Sequence, residues 1–211
     1  MAATVTLASI RQARDRIRGA IATTPCEFSV GLSEMFAARI FVKLDNLQAT
    51  GAFKERGAAN KLLQLTADER KRGVVTASAG NHGLGVAYQA GKLDISATVV
   101  MPKNAPLIKR ANVKRLGATV ILHGDTYDEA TTRAREIERD EKKIYLHSFN
   151  DLDVIIGQGT LGLEIIEAVP DLDLIVVPVG GGGLIAGVGA AVKATNPARR
   201  SSVSSRSFMP R

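Results

Sequence analysis

Three short stretches of this 211-residue chain carry residue types that can do chemistry together. They are Thr50-Gly51-Ala52-Phe53-Lys54-Glu55-Arg56-Gly57-Ala58, then Ser78-Ala79-Gly80-Asn81-His82-Gly83, then Gly180-Gly181-Gly182-Gly183-Leu184. A lysine becomes an imine-forming nucleophile when burial or nearby positive charge destabilises its ammonium form, and it can then hold an aldehyde cofactor. Lys54 has Phe53 before it, Arg56 two residues after it, and small residues Gly51, Gly57 and Ala58 around it, a tight apolar setting. A lysine at a helix start taken alone is more often an exposed surface charge; the other two stretches shift that balance.

Residues 78–83 join the apolar run Val74-Val75-Thr76-Ala77 to a helical pattern. Free backbone N–H groups then lie at a helix N-terminus, where unpaired donors and the dipole attract an anion such as a carboxylate. Ser78 and Asn81 add side-chain donors, and Asn81 can also reach a cofactor hydroxyl. The plain reading of the same residues is a Ser or Asn helix cap, and His82 is as well explained by structure as by catalysis. Residues 180–183 follow an apolar run and precede a helix, so backbone amides can approach a phosphate closely. No Gly-Lys-Ser/Thr follows, which excludes a nucleotide P-loop. Gly181, Gly183 and Ala186 satisfy G-x-G-x-x-G/A, but no acidic residue follows Asp173 to bind a ribose, so the phosphate reading survives and the dinucleotide reading does not. His82, His123 and His147 lie far apart, with no HExxH, cysteine pair or G-x-S-x-G elbow, and neither a metal centre nor a serine hydrolase is expected.

The elements that must position these residues alternate. Helical spacing over 7–20 puts Ile10, Ala13, Ile17 and Ala20 on one face and ends at Thr23-Thr24-Pro25. Strand composition at 40–44 precedes a helix over 54–65, so Lys54 sits where a loop enters a helix. Thr66 and Glu69 form a capping box for a short helix ending at Gly73. Strands over 74–77, 97–101, 119–122, 143–147 and 174–178 then alternate with helices from the Ser78 loop to about 90, then over 105–116, 127–141, 159–169 and 184–192. Short apolar strands separated by helices predict an α/β fold of mostly parallel, open twisted sheets with helices on both faces. The strand at 174–178 is expected to be buried. With no strand predicted after 184–192 to cover it, the chain should be poorly stable alone or associate with copies of itself. Residues 198–211 hold five serines and four arginines without apolar periodicity and read as disordered.

At 45% hydrophobic the chain can bury a core. Its apolar stretches are too short and too broken by Gly and Pro to span a bilayer, and the N-terminus lacks a signal-peptide core, so a soluble cytoplasmic protein is expected. Cys26, the single cysteine, is read as a small apolar packing residue. The net charge is +7, but the tail arginines Arg199, Arg200, Arg206 and Arg211 supply four of the seven and the rest is interleaved with acids. With no Trp and only nine Tyr and Phe, there is no stacking platform for bases. Neither nucleic acid nor membrane is expected as a partner.

Together with Leu44-Asp45-Asn46-Leu47-Gln48, Val100-Met101-Pro102 and Asp153-Val154-Ile155-Ile156-Gly157-Gln158-Gly159-Thr160, the three stretches make the chain resemble the fold-type II pyridoxal-phosphate enzymes, specifically the threonine/serine dehydratases (threonine ammonia-lyases) and serine racemases. The resemblance covers nearly all of residues 5–198. It implies that Lys54 bonds the aldehyde of pyridoxal 5'-phosphate, that Phe53 flanks the pyridine ring, that Asn81 bonds the 3′-oxygen, and that Gly180, Gly181, Gly182, Gly183 and Leu184 hold the phosphate. Ser78, Ala79, Gly80, Asn81 and His82 would hold the carboxylate of an amino-acid substrate. The implied activity converts L-threonine to 2-oxobutanoate and ammonia, and L-serine to pyruvate. Racemases of this family carry a serine where Ala79 stands, so the resemblance favours elimination over racemisation.

The family also implies a large domain over 1–72 and 151–198 and a small mobile domain over 73–150. The chain departs from the family pattern after Pro197, where a further strand, a Ser or Cys for the pyridine nitrogen and an acidic metal ligand near 201–205 are missing. That change reads as a frameshift or truncation, and it sets a non-catalytic, cofactor-binding or partner-binding fragment beside the enzyme as the alternative, with a serine racemase as the other.

Overall fold

Helix α1 (Leu7–Ile17) begins as its sequence directs: Thr6 caps it in a reciprocal box with Ser9, and Ile10, Ala13 and Ile17 form the buried stripe. The chain continues through β1 (Cys26–Phe28), α2 (Val30–Phe36) and β2 (Phe41–Lys43), with β1 and β2 antiparallel. The first two escape a periodicity reading because neither is long enough to declare a period. Cys26 is partly buried, and that burial pushes its thiol pKa up, in keeping with a packing role. A 3-10 turn over Asp45–Leu47 leads into α3 (Lys54–Leu62) and α4 (Ala67–Arg72), the latter with its expected Thr66–Glu69 box and a stop at Gly73, where φ is 76°. The computed structural model describes residues 4–195; the expectations for the 199–211 tail lie outside them.

Next come β3 (Val74–Ala77), α5 (Asn81–Lys92), β4 (Ala97–Met101), α6 (Leu107–Arg115), β5 (Thr119–Leu122), α7 (Tyr127–Asp140) and β6 (Ile144–Tyr145). The four strands are parallel, in the order β5-β4-β3-β6. Strands β3 and β4 are buried at every position, as continuous apolar runs covered on both faces require. On one face Leu84 and Val86 of α5 and Val113 of α6 pack on Val74, Val99 and Met101. On the other, Ala130, Ala134 and Ile137 of α7 pack on Val75, Ala77 and Val100. The expected α/β architecture is present. Among the described residues no helix is long and apolar enough to cross a membrane.

Two long helices, α8 (Leu152–Ala168) and α9 (Gly183–Thr195), complete the described chain. Helix α8 starts at 152 and not at the expected 159, because Asp151 accepts the N–H groups of Asp153 and Val154 at 2.9 and 3.3 Å and caps it. Glycines at 157 and 159 disguise its first turns, since glycine reads as a helix breaker. Here they are contact points. A Cβ on Gly157 would lie 2.7 Å from the Arg56 carbonyl oxygen, and one on Gly187 would lie 2.6 Å from the Gly159 nitrogen. Helices α3, α8 and α9 therefore meet at backbone distance.

The run at 174–178 departs from expectation. It is extended but joins no ladder among the described residues, and its burial alternates: Ile175 and Val177 pack on Leu161 and Val188, while Leu174 and Val176 face out. A continuous apolar run suggested burial on both sides; the backbone delivers a period of two with one side covered.

Candidate functional site

Lys54 opens α3, and its position depends on a missing side chain. A Cβ on Gly85 of α5 would lie 3.2 Å from the Lys54 carbonyl carbon and from the Glu55 nitrogen, so any side chain there would press the first turn of α3 outward by a few tenths of an ångström. Glu55 turns back to accept the Thr50 N–H and closes the approach loop. The Lys54 side chain is half-buried; its Nζ donates to the Ser148 carbonyl at 2.7 Å and stands 5.3 Å from the Phe53 ring centroid. Burial pushes its pKa down from 10.5 to about 8.

Arg56, the neighbouring cation that the sequence offers as a second cause, plays no part in that shift. Its guanidinium is wholly buried. It donates from Nε and Nη2 to Asp45 at 2.8 Å, and from Nη1 and Nη2 to Glu164 at 2.6 and 2.9 Å. Lys43 completes the cluster at 2.5 Å from Glu164, and Thr24 donates to Asp45 at 2.6 Å. Two cations and two carboxylates cancel, so no free charge is left to act on Lys54.

At the start of α5, Ser78 Oγ accepts the N–H groups of Gly80 and Gly83 at 3.2 and 3.0 Å. The hydroxyl thus acts as a cap, as the plain reading has it, and its own hydrogen remains able to donate. Asn81 is exposed at the first position of α5, and its Oδ1 accepts from Lys109 Nζ at 3.2 Å. His82 turns inward: Nε2 lies 3.3 Å from the Leu146 carbonyl oxygen and Nδ1 is buried with no hydrogen-bond partner. Burial first, then the Lys54 charge, push its pKa to about 3, so the imidazole is neutral. Of His82, only the backbone N–H in the first turn of α5 is left for a substrate. Ala79 packs beside the cluster that includes Leu84 and Val99.

The glycine run is shaped by Phe149. A Cβ on Gly181 would sit 2.2 Å from the Phe149 ring, and one on Gly183 would sit 2.9 Å from its backbone, while Gly182 has φ 85°. The first-turn N–H groups of α9 have no intrahelical acceptors and lie at the positive end of its dipole. Leu184 and Phe53 both border the cluster of Leu161, Ile175 and Val177.

The lysine loop and the glycine run converge on the turn His147-Ser148-Phe149, and the Ser78 stretch reaches Leu146 just before it through His82; the strand expected over 143–147 gave this turn no role of its own. His147 Nδ1 accepts the N–H groups of Phe149 and Asn150 at 3.2 and 2.9 Å, the Ser148 carbonyl receives Lys54, and Phe149 backs the glycine run. A signal was present. This turn and the Ser78 loop leave the C-terminal ends of β6 and β3, adjacent strands of a parallel sheet whose next connection runs the other way, to β4. That switch point is where open α/β sheets bind ligands.

The donor set fits pyridoxal phosphate. A lysine of lowered pKa suits the aldehyde, a run without Cβ atoms ahead of a helix N-terminus suits the phosphate, and Asn81 offers a donor for a ring oxygen.

Comparison with known proteins agrees. The family model described as pyridoxal-phosphate dependent enzyme matches residues 17–206. The chain is 50% identical over 193 residues to the L-threonine ammonia-lyase of Thermotoga maritima, covering 92% of this chain and 48% of that protein. It is 45% identical over 196 residues to the catabolic L-threonine dehydratase TdcB of Escherichia coli K12, covering 93% and 60%. Among solved structures, maize serine racemase superposes with a TM-score of 0.92 at 37% identity, covering 95% of this chain and 61% of that one. The chain spans about half to three fifths of the length of these curated relatives.

Proposed function

The chain belongs to the pyridoxal-phosphate dependent enzymes, and from that premise we propose that it serves an ammonia-lyase that converts L-threonine to 2-oxobutanoate and ammonia, and L-serine to pyruvate. The observation that carries the reading is Lys54: half-buried at a helix start, aimed at a neutral carbonyl, with a pKa near 8. A sizeable fraction of such an amine is unprotonated near neutral pH, as both bonding an aldehyde and accepting a proton require. When bound, the cofactor supplies an electron sink for charge at the substrate Cα.

The rest is the work of the chain's own residues. Lys54 Nζ takes the Cα proton, and the Ser148 carbonyl orients it. His82, held neutral, adds no competing charge beside it. Amides of 180–184 at the start of α9 hold the phosphate, and those of Ala79, Asn81 and His82 at the start of α5 hold the substrate carboxylate, the Ser78 and Gly80 amides being given to Val100 and to the Ser78 hydroxyl. Asn81 Nδ2 donates to the 3′-oxygen, and Phe53 flanks the ring. Departure of the β-hydroxyl as water, followed by hydrolysis, gives the 2-oxo acid and ammonia. Ala79 has no hydroxyl with which to pass a proton from the opposite face, which supports elimination over racemisation.

The division into a large domain over 1–72 and 151–198 and a mobile one over 73–150 is part of the proposal. Containment of the whole four-stranded sheet within 74–145 supports it, and the packing of Ala58 and Leu62 on the sheet's cluster marks where the two parts would slide. So are association of identical chains, supported by the 174–178 backbone, which joins no ladder among the described residues, and by outward Leu174 and Val176, and work in the cytoplasm. Borohydride reduction of the cofactor-loaded chain followed by peptide mass analysis tests the site. A pyridoxyl group on Lys54 is expected, and one on Lys43 or Lys61 in its place would overturn the assignment.

A further inference from the structure

The first turn of α6 inverts the usual order of exposure. Leu107 and Ile108 are 76% and 64% exposed, while Lys109 beside them is half-buried. The Lys109 ammonium stands 3.2 Å from Asn81 Oδ1, at the N-terminus of α5, where the helix dipole disfavours a cation. The segment that brings it there is well braced: the Ala105 N–H donates to the Pro102 carbonyl at 3.0 Å, Arg110 Nε to the Ala105 carbonyl at 2.7 Å, and Asn104 Nδ2 to the Asp125 carbonyl at 3.1 Å. A lysine placed against the dipole, with two apolar side chains left in water, needs a compensating contact, and Asn81 supplies one.

A carboxamide has one acceptor end and one donor end, and an ammonium can meet only the acceptor. We infer that Lys109 is a positioning residue, whose bond to Oδ1 fixes the Asn81 carboxamide in the orientation that presents Nδ2 to the cofactor's 3′-oxygen. An exposed asparagine without such a partner flips between two orientations of similar shape, one of which turns an oxygen toward an anionic oxygen. The cation on Oδ1 removes that orientation and polarises the amide, so that its N–H groups donate more strongly. The inference rests on the proposed role of Asn81.

The test uses this chain loaded with pyridoxal phosphate and two readouts apart from turnover: the cofactor dissociation constant and the pH midpoint of the bound cofactor's visible absorbance. Asn81→Ala examines the underlying role; weaker binding and a midpoint moved upward are expected, because the anionic oxygen loses a donor. Lys109→Met should move the midpoint the same way, by about half a unit or more, and weaken binding about 3- to 10-fold, the scale of one ordinary hydrogen bond. Lys109→Arg should restore both. Adding Lys109→Met to Asn81→Ala should change little further, since the lysine acts through the asparagine. Unchanged readouts in Lys109→Met, or an undiminished effect of Lys109→Met in the Asn81→Ala background, would overturn the inference while leaving Asn81 in its role. Unchanged readouts in Asn81→Ala would overturn the role itself.

Discussion

The seam between α3 and α8 and the mouth at the first turn of α3 each withdraw a cation from water, two residues apart in sequence, and they treat it in opposite ways. In the seam, Arg56 is met by two carboxylates. Burial opposes its charge, but Asp45 and Glu164 more than offset that and raise its pKa above the ordinary guanidinium range. In the mouth, Lys54 has one neutral carbonyl, its pKa falls to about 8, and His82 nearby keeps an unpaired nitrogen. Full compensation makes a buried charge structural; compensation withheld makes it reactive.

The contrast can be broken by substitution, and the largest effect is expected in the mouth. Lys54→Ala should abolish pyridoxyl labelling and lower 2-oxo-acid production by about 10²- to 10⁴-fold or more, with little loss of fold. Labelling that persists would remove Lys54 from its role. In the seam, Arg56→Met should cost about 3–5 kcal/mol in denaturant unfolding, because Asp45 and Glu164 lose the cation they share. A cost under about 1 kcal/mol would mean that the cluster is not the structural partner it is taken for.

Two smaller changes sharpen the comparison. Gly157→Ala drives a methyl against the backbone of α3 and should cost about 1–3 kcal/mol, measured the same way. Lys54→Met should do the reverse and stabilise the cofactor-free chain by about 1–2 kcal/mol at neutral pH, a figure discounted for the side chain's partial contact with water. The pH dependence has a definite sign. The folded pKa lies below the unfolded one, so between about 8 and 10.5 the unfolded chain binds more protons and stability rises with pH. Lys54→Met should lose that rise; a rise of equal size in the variant would assign it to another group.

Much of the mouth was legible because its parts are local. A lysine between small residues, a Ser-to-Gly loop after an apolar run and four consecutive glycines each declare themselves within a few positions, and β3 and β4 do so as unbroken apolar runs. The seam was not legible. Arg56 finds its carboxylates 11 and 108 residues away, a pairing that no window reveals. The turn at His147 to Phe149 escaped because its role is to offer a carbonyl, which no residue type marks, and a ring whose partner, Gly181, lies beyond α8 in the sequence. The run at 174–178 misled for a different reason: composition reports how apolar a strand is, and only the neighbours decide how many of its sides are covered.

The glycines of α8 bear on the order in which the molecule assembles. Gly157, Gly159 and Gly162 allow the close approach of α3 and α9, and each costs about 1 kcal/mol of intrinsic helix propensity. A 17-residue segment so handicapped should not hold a helix by itself in water. A synthetic peptide spanning 152–168 should therefore give a coil spectrum by circular dichroism, and a helical one would show that local preference is sufficient. On this view α8 becomes a helix only as its neighbours close on it. The carboxylate that Glu164 brings to Arg56 then arrives late, when the first turn of α3 must already be waiting for it.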